Sequence, residues 1–182
     1  MYARSSGRSV AVVDLDPQGS ATQMAAATSG MLVDVVPLAL DSVGKLPRQI
    51  RRIGDEYQIV IIDTPPGHLD VADAAIGESN FLLIPTQPEY EPLRQAVSTF
   101  KDFEAPDAAI VLNKINPSAR DAANARELIN SNGLPILDTQ IPDWVSIKRI
   151  AGAEWNPDER TERLFTALGR EVLTRSLAAV SA

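Results

Sequence analysis

The amino-acid pattern predicts an α/β fold: an open parallel sheet with helices on both faces. Four short apolar runs, at residues 10–13, 59–62, 81–84 and 109–112, have the length and continuity of buried parallel strands. Segments with helical spacing separate them, and strands alternating with helices read as βαβ units. No internal repeat, low-complexity tract or linker interrupts the 182 residues, so a single domain over 1–182 is expected.

Taken in order, the strand at 10–13 is followed by a small-residue helix at 20–27 and a short strand at 33–36. A basic helix at 45–53 precedes the strand at 59–62. The strand at 81–84 leads into an amphipathic helix at 93–103. The strand at 109–112 leads into an alanine-bearing helix at 120–129, and a weaker apolar run at 135–137 is a further strand candidate. The clearest helix is 160–177, where Leu164, Leu168 and Val172 recur at i, i+4 and i+8 while Arg160, Arg163 and Arg170 fall on the other side.

Composition narrows the function classes. Hydrophobic content of 45% and charged content of 23% are those of an ordinary globular chain. No apolar run approaches the roughly 18 residues of a membrane span, and no apolar core follows the basic residues of MYARSSGRSV, so neither a membrane partner nor a signal peptide is expected. The absence of cysteine excludes disulfides, thiolate metal sites and a cysteine nucleophile, and a cytoplasmic location is expected. A net charge of −7 argues against coating nucleic acid by bulk charge and leaves only a local basic patch for that purpose.

Two strands end in carboxylates. In VAVVDLDPQGSATQM (10–24), Asp14 and Asp16 close an apolar run, and Pro17 makes the chain leave the strand there. In QIVIIDTPPG (58–67), Asp63 follows the apolar run directly and a Thr-Pro-Pro-Gly turn comes next. In open parallel sheets ligands bind at the carboxyl ends of strands. Mg²⁺ typically takes one or two carboxylates together with waters and substrate phosphates. The alternative for either stretch alone is structural: a strand-end aspartate that caps a helix or accepts turn amides.

These two stretches closely resemble the second and third signature motifs of the ParA/MinD family of deviant-Walker ATPases, and in particular the small plasmid-partition ParA proteins. LLIPTQP (82–88), VLNKIN (111–116) and TQIPDWVSIKRIAG (139–152) fall in family order. The resemblance implies a P-loop NTPase-like fold, ATP and Mg²⁺ as cofactors, and a catalytic pair in which Asp16 positions the attacking water while Asp14 supports the same loop. It implies that Asp63, with Asp16, holds the Mg²⁺ shell, and that Thr64, Pro65, Pro66 and Gly67 form switch II. Asn113 would face adenine, with Ile141, Pro142 and Asp143 closing over the base. It further implies a homodimer, a centromere-binding ParB-like adaptor and non-specific DNA as partners, with Lys148 and Arg149 as the DNA contacts. Nucleoid association would follow from DNA binding. After Pro88 the family usually has Ser, a variable residue and Asp, where this chain has Glu89, Tyr90 and Glu91.

One expected part is missing. A deviant Walker A loop supplies backbone amides, a lysine and a Ser/Thr hydroxyl to the phosphates. No Gly-Lys-Ser/Thr tripeptide occurs in the sequence, and Gly44-Lys45 is followed by Leu46 and Pro47. Only 13 residues precede Asp14, against about 30 for a βαβ unit. The chain therefore reads as N-terminally truncated, beginning inside the tail of a first helix at 2–6 without the first strand and phosphate loop. That reading leaves an apolar sheet edge bare. A fragment or misassigned start, a truncated product and a natural non-catalytic variant all fit it, the first two better than the third.

The alternative function is a non-hydrolysing interaction module of the same fold. A biosynthetic or reductase ATPase of the same superfamily is a third reading, against whose iron–sulfur members the lack of cysteine argues. His68 reads as an exposed residue without partners. Trp144 and Trp155 flank Lys148 and Arg149, and read better as packing anchors than as base-stacking platforms.

Overall fold

The computed structural model describes residues 6–28, 33–40, 42–103, 107–116, 120–149 and 156–180. The chain forms two compact units, residues 1–79 with 148–158, and residues 80–147 with 159–182. Each carries a three-stranded, all-parallel sheet.

In the first unit the order along the chain is β1 (Val10–Asp14), α1 (Ser20–Ala27), β2 (Asp34–Pro37), a 3₁₀ turn (Val43–Lys45), α2 (Leu46–Gly54), β3 (Ile59–Asp63) and α3 (Leu69–Ile76). The strands lie in the order β2-β1-β3. Ala11 and Val13 point to one face and Val10, Val12 and Asp14 to the other, by the two-residue period of a strand. The Val13 face is sealed by Leu46 and Ile50 of α2 and Val71 and Ala75 of α3, with Val60 and Ile62 of β3 packed against them.

A reciprocal pair pins the start of this sheet. The Ser9 N–H donates to Gln58 Oε1 at 3.1 Å and the Gln58 N–H donates to Ser9 Oγ at 3.0 Å. The resulting register sets Val10 beside Ile59 and brings Asp14 level with Asp63.

In the second unit come β4 (Leu82–Thr86), α4 (Tyr90–Asp102), β5 (Ala108–Ile115), α5 (Asp121–Ser131), β6 (Ile141–Pro142), the short α6 (Val145–Lys148) that reaches the boundary of the units, and α7 (Glu159–Val180). The strand order is β4-β5-β6. Ile110 and Leu112 pack on Leu93 and Ala96 of α4 and on Ala122, Ala125 and Ile129 of α5. Ala109 and Val111, on the opposite face, pack on Leu137 with Leu168 and Val172 of α7. This sheet has helices on both faces, as expected, and the i, i+4, i+8 stripe of α7 is what covers one of them.

The differences from the sequence reading have local causes. Residues 135–137 make a single bridge, Ile110 to Ile136, instead of a strand, because only the Ile110 and Leu137 amides find partners there. The helix α3 was not expected, since its apolar residues Leu69, Val71, Ala72, Ala74, Ala75 and Ile76 mark no single face, although only Val71 and Ala75 are buried. The 59–62 run was expected to be fully buried. Instead β3 is half-buried and Ile61 is 53% exposed. Among the described residues β3 pairs with β1 alone, so it forms a sheet edge, and apolar edges of this kind invite further pairing. The helix tail expected at 2–6 lies, except for Ser6, outside the described residues.

Candidate functional site

The chain leaves β1 through Pro17, Gln18 and Gly19. Gly19 sits at φ 63°, which an L side chain adopts only with strain, and its N–H donates to the Asp16 carbonyl at 2.8 Å. This tight turn swings α1 back so that its third residue, Thr22, meets the strand end.

Asp14 is 2% exposed and fully engaged. Its Oδ2 accepts the Thr22 N–H at 2.9 Å and the Thr22 hydroxyl at 2.6 Å, and its Oδ1 accepts the Asp16 N–H at 3.2 Å. Gly19 at the N-cap has no side chain to cap α1, so a carboxylate from the preceding strand performs that task at the positive end of the helix dipole. Burial pushes the Asp14 carboxyl up, but the three hydrogen bonds together outweigh it and hold the group below its ordinary range.

Asp16 is half-buried, and its Oδ1 accepts the Gln18 N–H at 2.9 Å. Its other oxygen has no hydrogen-bond donor among the described residues. Asp63 stands exposed at the end of β3. Partial desolvation by the surrounding chain, and then the charges of Asp14 and Asp16, raise its pKa. The three carboxylates thus repel one another at one end of one sheet, and among the described residues none is in an ion pair.

The structure brings together Asp14, Asp16 and Asp63 from the expected set. Thr64 to Gly67 follow as a turn, with Pro65 buried and Gly67 at φ 77°. His68 is exposed and precedes α3. Among the described residues no group of three or more side chains has the arrangement of a metal cage. The donor set nevertheless fits Mg²⁺ as substrate-bridging sites hold it, with one or two carboxylates and the remainder from water and phosphate. The uncompensated repulsion at Asp63 is what a divalent cation relieves.

In the second unit Asn113 lies on β5 beside Ile141 of β6. Lys114 follows at φ 53°, the only described non-glycine residue with positive φ, and the register shifts between Asn113 and Ile115. Such a bulge re-aims the side chains around it. Asn113 Oδ1 accepts the Lys114 N–H at 2.9 Å, and Asn113 also lines a cavity of 310 Å³ with Thr86, Gln87, Gln95 and Thr99. Ile141, Pro142 and Asp143 do not line that cavity.

A brace that sequence reasoning missed holds the loop entering β6. Arg126 Nη2 donates to the carbonyls of Leu137 at 2.7 Å and Asp138 at 3.3 Å, and Arg175 Nη2 donates to that of Ile136 at 3.1 Å. Glu171 accepts the N–H groups of Asp138 at 2.7 Å and Thr139 at 2.9 Å. Burial raises the Glu171 pKa, but these bonds and the Arg175 charge prevail and lower it. The only sequence signal was the i, i+4 spacing of Glu171 and Arg175.

The basic candidates separate. Lys148 and Arg149 are exposed. Arg163 pairs with Glu159 at 3.0 Å, and the Arg160 guanidinium lies 3.6 Å from the centroid of the Trp144 ring. Trp144 is half-buried, belongs to none of the apolar clusters above, and has one ring face covered by this guanidinium. Trp155 lies outside the described residues.

Residues 1–154 match the family described as "CobQ/CobB/MinD/ParA nucleotide binding domain" (CbiA). The chain belongs to this family. Its fold is that of solved α/β P-loop NTPases. It is similar to the cell division ATPase MinD of Pyrococcus furiosus, with 22% identity over 93% of this chain and 87% of that one at a TM-score of 0.69. It is similar to cobyrinic acid a,c-diamide synthase from Mycobacterium smegmatis with bound ADP and magnesium, with 19% identity, 82% and 80% coverage and a TM-score of 0.61. A structure titled "Partition Protein" matches with 19% identity, 96% and 65% coverage and a TM-score of 0.57. No curated protein sequence matches the chain. Among the described residues no helix is long and apolar enough to cross a membrane.

Proposed function

We propose that this ParA/MinD-family domain is the hydrolytic half of a partition ATPase, in which Mg-ATP hydrolysis is coupled to dimerisation and to non-specific DNA binding. The observation that carries this reading is the three-carboxylate strand end, with Asp14 spent on holding the turn and Asp16 left with an unused oxygen. Asp14 is the positioning residue, and Asp16 is the one that orients the attacking water. Asp63, with Asp16, would hold the Mg²⁺ ion, which would supply neutralisation of phosphate charge. Asn113 reads the base, with Ile141, Pro142 and Asp143 beside it, and Lys148 and Arg149 contribute the DNA contacts. A homodimer and a ParB-like adaptor complete the cycle. The resemblance of VDLDPQGSAT to the partition motif supports this over a biosynthetic role.

The test uses the chain joined in frame to a strand and a Lys-Gly-Gly-x-Gly-Lys-Thr loop. Asp16→Ala in that protein is expected to keep Mg-ATP affinity within about threefold while turnover falls by at least 10²-fold, the scale of a lost general base or water-positioning group. Unchanged steady-state hydrolysis in the variant overturns the role given to Asp16.

A second reading, a non-hydrolysing interaction module, is favoured by one observation: no Gly-Lys-Ser/Thr tripeptide occurs in these 182 residues. The 182-residue chain by itself is accordingly expected to release no phosphate above buffer in a malachite-green assay. Restored turnover on supplying the loop separates an interrupted ATPase from a dedicated interaction module.

A further inference from the structure

Helix α2 gathers positive charge on a chain of net charge −7. Residues 45–54, KLPRQIRRIG, contain four basic residues and no acidic one. Leu46 and Ile50, 0% and 4% exposed, lock one side of the helix into the core of its unit. At 100° per residue, Lys45, Arg48 and Arg52 then fall on the opposite side, neighbours along one stripe, and all three are exposed.

Arg51, off this stripe, is paired with Glu78 at 3.4 Å. Lys45, Arg48 and Arg52 have no ion pair among the described residues. The acids nearest in sequence are Asp41, four residues before Lys45, and Asp55 and Glu56, the latter two exposed and beyond the C-terminal end of the helix. Two of the three cations also sit where helix energetics disfavour them. Lys45 is the N-cap and Arg48 lies in the first turn, which has no acidic residue, so both face the positive end of the dipole. Placement against a local rule without a compensating contact is characteristic of a functional surface.

We infer that the Lys45–Arg48–Arg52 stripe is a docking surface for the phosphate backbone of duplex DNA. The inference deepens the partition reading, in which DNA is a partner, and puts the contact on a face other than that of Lys148 and Arg149. Two observations select this occupant. The apolar side of α2 is buried in the core, so the helix has nothing to insert into a lipid surface. None of the exposed large hydrophobic side chains, from Met24 to Leu177, belongs to α2, so the patch lacks the apolar anchor of a protein interface. A stripe of long, unpaired cations fits a regular polyanion read without sequence.

The test is fluorescence anisotropy of the 182-residue chain with a labelled 24-base-pair duplex at 50 and 150 mM salt. Three phosphate contacts predict a log–log salt slope of about −2.7, hence an affinity loss of about twentyfold across that interval. Lys45→Gln/Arg48→Gln/Arg52→Gln is expected to weaken binding at 50 mM salt at least tenfold and to flatten the slope, with an unchanged melting temperature. Lys148→Gln/Arg149→Gln is the comparison. Native-like binding by the triple variant, with loss in the double variant, overturns the stripe and leaves the partition reading standing. No binding of duplex by the native chain, or preferential binding of phosphatidylglycerol vesicles or a decaglutamate peptide, also overturns it. The partition reading itself fails on the turnover experiment, which does not involve DNA. Should the triple variant not fold, Lys45→Gln/Arg48→Gln, which only removes charge from an unfavourable helix end, is measured in its place.

Discussion

Replacing Asp14 with alanine is expected to destabilise the chain by about 3 kcal/mol, the largest loss of any single change at the strand end. The variant strands the Thr22 N–H, the Thr22 hydroxyl and the Asp16 N–H, at a site that is 2% exposed. Hydrogen bonds to a charged acceptor are worth roughly 1.5–3 kcal/mol each, and partial access of water to the opened site reduces the sum. Domains of this size hold about 5–15 kcal/mol in total, so the loss is a large fraction. Asp14→Asn keeps one good acceptor and is expected to cost about 2 kcal/mol, and Thr22→Val, which removes one bond, about 1 kcal/mol. Urea unfolding at pH 7 checks the order. A cost below 1 kcal/mol for Asp14→Ala would mean that the strand end does not hold α1.

The pH dependence of that difference has a definite sign. The Asp14 carboxyl is held below its ordinary value of 3.8, so its contribution is present above that value. It is lost as pH falls through the lower, folded-state pKa. The gap between native chain and Asp14→Ala should therefore narrow only in strong acid.

How much of this was legible follows from which forces act locally. The strands β1 and β5 announce themselves because a parallel strand buried on both faces must be apolar throughout, as Ala11, Val13, Ile110 and Leu112 are. Helix α7 is legible because covering a sheet face demands the Leu164, Leu168, Val172 period. Helix α3 is not, because apolar residues occupy six of the eight positions of LDVADAAI and mark no single face. The strand β6 is only two residues long, too short to leave a periodic trace. The half-buried state of β3 is invisible for a different reason: IVIID describes what the strand is made of, while exposure is decided by whether another strand lies beside it.

At the candidate site the sequence pattern located Asp14, Asp16 and Asp63 but not their division of labour. That division depends on Gly19 turning the chain so that Thr22 reaches Asp14, a contact eight residues apart that no periodicity encodes. The cavity residues Gln87, Gln95 and Thr99 were likewise unmarked, since an exposed amide or hydroxyl looks the same in a cavity as on an open surface. Arg160 was placed only on the side of its helix away from the apolar stripe, and its contact with Trp144, sixteen residues earlier, leaves no trace in the sequence.

Asp63→Asn is expected to produce the opposite of the usual active-site substitution: a more stable protein at neutral pH. Partial desolvation and the charges of Asp14 and Asp16 raise the Asp63 pKa, so its ionised form is disfavoured in the folded chain. A carboxyl whose folded pKa lies above its unfolded one weakens the fold as pH rises through that interval, and the penalty is fully present at pH 7. An amide of the same shape removes it, and the variant should unfold at higher urea concentration than the native chain. Such strain is the ordinary companion of a site built for a ligand, because stability and function compete where like charges are held together.

The same substitution should abolish the response to Mg²⁺. If the ion binds the native strand end with a dissociation constant of about 1 mM, 10 mM Mg²⁺ stabilises the native chain by about 1.4 kcal/mol by mass action, and Asp63→Asn not at all. The paired measurement is urea unfolding of both proteins at pH 7, with and without Mg²⁺ at constant ionic strength. A variant less stable than the native chain overturns the repulsion argument, because it would mean that the Asp63 carboxylate holds a favourable contact. A Mg²⁺ response of equal size in both proteins places the cation elsewhere and leaves Asp63 as a strand-end carboxylate without a metal to serve.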